Sequence, residues 1–130
     1  MHYARAFFTP YAFKALLYLA STIAEDNRAV ESFSPTTETF TVLPVSLPAK
    51  LKLDCYSVAF IINGELVLLN NHEKQMARWN IECETQFRVS VTDRKCYSFQ
   101  PPLIVGTEVY IANVWGPKVE KWSLGTRRFV

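Results

Sequence analysis

The sequence predicts an all-β domain built from three repeated units of four short antiparallel strands, and three observations lead there. First, runs rich in β-branched and aromatic residues alternate with Gly, Pro, Asn and Asp, while helical periodicity is nearly absent. Second, Asn63-Gly64 separates Ile61-Ile62 from Glu65-Leu66-Val67, which is the strongest short signal for a two-residue type I′ hairpin. Third, one pattern recurs: Phe33, Thr37 and Phe40 share their offsets with Trp122, Thr126 and Phe129, and a version one residue longer runs from Trp79 to Phe87.

Taken in order, the first unit spans approximately residues 1–47, with strands expected at Ala4 to Thr9, Leu16 to Ala20, Ala29 to Phe33 and Phe40 to Leu43. A tight turn at Lys14 or its neighbours precedes the second strand. The second unit, about 48–93, places strands at Ser57 to Ile62, Glu65 to Leu69, Met76 to Asn80 and Phe87 to Val91 around the Asn63-Gly64 turn. The third, about 94–130, uses Leu103 to Val105, Glu108 to Ala112, Val119 to Ser123 and Arg128 to Val130, with Gly106-Thr107 as its turn. Phe40 to Phe87 is 47 residues and Phe87 to Phe129 is 42. Both fall near the period of blade-type repeats. Together the units form a single domain, residues 1–130.

The segments Ala15 to Leu19, Gly64 to Leu69 and Thr107 to Ile111, each followed by Phe or Trp and then by Phe seven or eight residues later, resemble kelch repeats over the whole chain. Where kelch repeats carry a glycine pair, this chain has Ala20-Ser21, Asn70-Asn71 and Ala112-Asn113. The resemblance implies three four-stranded blades of a kelch-like β-propeller, open unless another chain completes them, because propellers close with about four to eight blades. Phe33, Trp79 and Trp122 are then expected in the core between blades, where replacement by alanine costs roughly 3–5 kcal/mol. Open flanks of this kind expose more apolar surface than monomers tolerate. The expected partner is therefore protein, in a homo-oligomer or a hetero-assembly.

Composition bounds the function. With 49% hydrophobic and 20% charged residues the chain can bury a core. Its formal charge of +2 comes from 14 basic and 12 acidic residues without a run of one sign, which argues against nucleic acid or an anionic membrane as partner. In Arg78-Trp79 and Lys121-Trp122 strand alternation sends the aromatic to the core and the base to solvent. Ala15 to Ala20 is too short and too interrupted for a membrane span, and its prelude is unlike a signal peptide.

Chemistry is sparse. Cys55, Cys83 and Cys96 include no Cys-x-x-Cys pair and read as buried, reduced thiols in an intracellular, cytoplasmic setting. His2 and His72 do not make a metal set, no glycine-rich phosphate loop exists, and the carboxylates Glu25, Asp26, Glu82, Glu84 and Asp93 are ordinary turn residues. The expectation is no enzyme, no cofactor and no metal. Binding is expected in the loops between the second and third strand of each unit: Glu25, Asp26 and Arg28 in the first, His72 and Lys74 in the second, Trp115 and Lys118 in the third. The resemblance implies that these loops share a rim that receives a partner; Trp115, in Asn113-Val114-Trp115-Gly116-Pro117 with no strand alternation to hide it, is the anchor candidate, the alternative being that it folds back onto its blade. Two alternatives stand beside this interaction module: a structural subunit capped within a larger assembly, and a carbohydrate-binding or carbohydrate-active propeller fragment.

Overall fold

Twelve strands form three four-stranded antiparallel sheets in a computed structural model that describes residues 11–20, 29–48, 58–70, 75–92, 98, 102–112, 119–126 and 128–129. Each sheet is a meander drawn from one continuous stretch. Sheet 1 holds β1 (Tyr11–Phe13), β2 (Leu16–Leu19), β3 (Ala29–Ser34) and β4 (Thr39–Ser46). Sheet 2 holds β5 (Val58–Ile62), β6 (Glu65–Asn70), β7 (Gln75–Asn80) and β8 (Arg88–Val91). Sheet 3 holds β9 (Leu103–Val105), β10 (Glu108–Ala112), β11 (Val119–Ser123) and β12 (Arg128–Phe129). The strand expected at Ala4 to Thr9 lies outside the described residues; the first described strand is Tyr11–Phe13, paired with β2.

The three opening hairpins are all two-residue turns, fixed by pairings Phe13↔Leu16, Ile62↔Glu65 and Val105↔Glu108. Asn63 and Gly64 have φ of 51° and 75°, the two positive values that a type I′ turn demands. Lys14 and Ala15 adopt the same conformation, φ 47° and 63°, without glycine or asparagine to ease it. In the third hairpin only Gly106 is left-handed, with φ 61°, and a glycine at the first central position belongs to a type II′ turn.

The registers make the repeat exact at its centre. Leu17 pairs with Phe33, Leu66 with Trp79 and Val109 with Trp122. Across the next ladder Phe33 pairs with Phe40 and Trp122 with Phe129, so the seven-residue spacing is a cross-strand pair joined by a four-residue loop. One residue beyond the ladder, the Ile81 N–H donates to the Gly64 carbonyl at 3.0 Å and the Leu124 N–H to the Thr107 carbonyl at 2.9 Å, the same bond in two sheets. In sheet 1 that donor position is Pro35, which has no N–H to give.

Alternation along the strands of sheet 2 supplies two cores. One face, with Ala59, Leu66, Leu68, Ala77 and Trp79, packs on Tyr18, Val30 and Val45 of sheet 1 and on Ala20 and Leu47, each one residue beyond its strand. The other face, with Val58, Phe60, Ile62, Val67, Leu69 and Met76, packs on Val109, Ile111 and Trp122 of sheet 3. Such double-sided burial explains why these strands read as nearly continuous apolar runs. The first strands of sheets 1 and 2, β1 and β5, also touch, and Phe13 lies so close to Gly64 that an added Cβ there would stand 3.3 Å from its ring.

Trp79 and Trp122 are buried between sheets as expected, meeting Tyr18 and Phe60 edge-on at ring separations of 6.1 and 5.2 Å. Phe33 is different. It points away from sheet 2, is half-buried, and stacks obliquely on Phe40 at 4.6 Å. Being in the first of three sheets, its equivalent face has no preceding sheet among the described residues to pack against. Arg78 also departs from expectation: with both faces of sheet 2 covered, its guanidinium stays partly buried and pairs with Glu65 at 2.9 Å instead of reaching solvent.

Candidate interaction surface

The end sheets each present one face that the middle sheet covers in its own case. On sheet 3 the outward face carries Leu103 and Val105 on β9, Tyr110 and Ala112 on β10, and Val119 on β11. By register these stand where Phe60, Ile62, Val67, Leu69 and Met76 stand on sheet 2. All five of those counterparts are buried, whereas Leu103, Val105 and Val119 are 63%, 55% and 65% exposed. On sheet 1 the outward face carries Leu17, Phe33 and Phe40, all half-buried, and Val42, exposed, while Leu19 and Glu31 on the same face are buried. The sequence foresees apolar flanks on an open set of sheets; which residues form them emerges only from the registers.

Polar groups frame the sheet 3 face. The Tyr110 hydroxyl donates to Glu108 Oε2 at 2.9 Å, and Lys121 Nζ lies 3.7 Å from Glu108 Oε1. The hydrogen bond to Glu108 raises the Tyr110 phenol above its ordinary value, with partial burial and the Glu108 charge adding to it. The Glu108–Lys121 pair repeats, by position, the Glu65–Arg78 pair of sheet 2. The sheet 2 pair is the more buried of the two.

A second ordered feature is the loop from β7 to β8. Trp79 Nε1 donates to the Glu84 carbonyl at 2.8 Å, the Asn80 amide donates to Glu84 Oε1 at 3.1 Å, and Asn80 Oδ1 accepts from the amides of Glu82 and Cys83, each at 3.2 Å. Arg88 closes the loop by an ion pair with Glu84. Desolvation works to raise the Glu84 pKa, but the Arg88 and Asn80 hydrogen bonds with the charges of Arg88 and Arg78 outweigh it and hold the carboxyl below its usual range. A shallow depression beside this loop is lined by Cys83, Thr85, Gln86, Phe87 and Arg88. Cys83 there is an exposed free thiol, not a buried one as its sequence suggests, because it sits in a turn held by Asn80. Lys14, at the first hairpin turn, forms an ion pair with Glu82 of the same loop and so ties sheet 1 to sheet 2 at the surface.

The loop residues expected to bind, Glu25, Asp26, Arg28, His72, Lys74, Trp115 and Lys118, lie outside the described residues, as do Cys55 and Cys96. Among the described residues no three His, Cys, Asp or Glu side chains gather as a metal site, and no helix is long and apolar enough to cross a membrane.

No family model and no curated protein matches the sequence. The fold does match: the chain is similar to the solved structure of YjhT, with a TM-score of 0.70 at 12% sequence identity over 97% of this chain. It spans 51% of the YjhT chain, about half its length. The likeness is one of fold.

Proposed function

We propose that this chain is a non-catalytic protein-interaction module, three blades of a kelch-like β-propeller, which binds through its inter-strand loops and the outward faces of its end sheets. The observation that carries this reading is the face of Leu103, Val105 and Val119. An apolar surface left open on sheet 3 is the same surface that sheet 2 buries completely, and such faces on soluble proteins mark contacts. The fit of the chain to about half of a longer solved structure supports the repeated-sheet part of the reading. We place the protein inside the cell, where an exposed free thiol such as Cys83 persists.

The experiment compares the wild type with a Leu103→Lys, Val119→Lys variant. The wild type is expected to sediment above the 14.9 kDa of one chain, or, if it runs as a monomer, to bind an apolar dye that the variant does not. A monomer that binds no dye has no available face and would defeat the reading.

A further inference from the structure

We infer that the occupant of the open face of sheet 3 is the outward face of sheet 1 of a second copy of this chain, so that two copies close a ring of six sheets. The inference rests on the interaction-module reading and adds the identity of the partner. It follows from how the repeat is used twice within one chain. Trp79 of sheet 2 meets Tyr18 of sheet 1, and Trp122 of sheet 3 meets Phe60 of sheet 2. In both cases the aromatic at the centre of the third strand enters the face of the preceding sheet, against the first two strands. The residue at the Trp79 and Trp122 position in sheet 1 is Phe33, and it faces outward. Its counterpart receiving site is on sheet 3, where Leu103 takes the place of Phe60 and Tyr110 that of Tyr18.

Phe33 on the outward face of sheet 1 and the open face of sheet 3 are thus a knob and its socket. They lie on opposite end sheets, so neither can fill the other within one copy. A twofold axis relating two copies seats Phe33 of each against Leu103 and Tyr110 of the other and closes both faces at once. Leu103, Val105 and Val119 together expose roughly 300 Å², within the range at which an apolar patch signals a contact. A dimer presents that patch twice and adds to it the exposed parts of Leu17, Phe33, Phe40 and Val42. A net charge of only +2 per chain opposes the association little.

The test uses the full chain with Cys55, Cys83 and Cys96 replaced by serine, carrying either Phe33→Cys or Leu103→Cys, and a short bismaleimide. Circular dichroism first confirms that each variant keeps its strand content. Mixed together, the two variants are expected to give a cross-linked product of twice the chain mass, while either alone gives little. No product from the mixture, or equal product from one variant alone, overturns the assignment of faces. Light scattering and dye binding on the wild type separate this inference from the reading beneath it. A monomer that binds the dye overturns the second copy but leaves the interaction module standing. A monomer that excludes the dye overturns both.

Discussion

Trp79 and Trp122 occupy equivalent positions and are both buried, yet their indole nitrogens are treated differently, and this sets up a sharp comparison. Trp79 Nε1 donates to the Glu84 carbonyl at 2.8 Å, whereas Trp122 Nε1, wholly buried, has no hydrogen-bond partner among the described residues. The difference arises from the loop, which is one residue longer after Trp79 and brings a carbonyl back over the ring. Replacing either tryptophan by phenylalanine removes about 40 Å³, for a cavity term of about 1 kcal/mol. Trp79→Phe also loses a hydrogen bond, about 1 kcal/mol more, and frees the Glu84 carbonyl. Trp122→Phe instead removes a buried donor that is costly to leave unpaired, about 1–3 kcal/mol, which offsets its cavity. Urea unfolding should therefore show Trp79→Phe destabilised by about 2 kcal/mol and Trp122→Phe within about 1 kcal/mol of the wild type. Equal losses at the two sites would refute the argument from loop length and indole bonding.

Other consequences follow from particular side chains. Glu65→Ala leaves the part-buried Arg78 guanidinium without its carboxylate and should cost about 3 kcal/mol, while the double change Glu65→Leu, Arg78→Met recovers most of it in the same denaturation assay. Ala15→Gly relieves a left-handed alanine in the first hairpin and should raise stability by about 0.5–1 kcal/mol, read as a higher urea midpoint. Because the Glu84 carboxyl is held below its ordinary value of 4.5, its contribution is present in full above that pH and is lost as pH falls through the lowered value. An acid titration of tryptophan fluorescence should show a step below pH 4.5 from the loop over Trp79 that Glu84→Gln removes.

The parts of the fold legible in the sequence were those set by local chemistry. Asn63-Gly64 named its turn because few residues accept two positive φ values in succession, and the strands of sheet 2 stood out because burial on both faces leaves unbroken apolar runs. The aromatic and threonine spacing was legible as a repeat, and the cross-strand pairs Phe33↔Phe40 and Trp122↔Phe129 give it a physical cause. What strand alternation does not contain is which of two faces has a neighbour. Phe33 was expected in the core because its equivalents are there, and it lies outward because its sheet is the first. Arg78 was expected in solvent because its neighbour Trp79 is buried, and it stays partly buried beside Glu65 because the face it shares with Val67 is covered by sheet 3. The same limit hid the candidate surface: Leu103, Val105 and Val119 read like any core strand residues, and only their place on the last sheet exposes them.

The most direct test of the account is a side-chain resolution structure of the protein as it assembles in solution. Six sheets are expected, with Phe33 of each copy seated against Leu103 and Tyr110 of the other. A structure in which Leu103, Val105 and Val119 of an isolated chain face water, or in which Phe33 lies against neither residue, would contradict it.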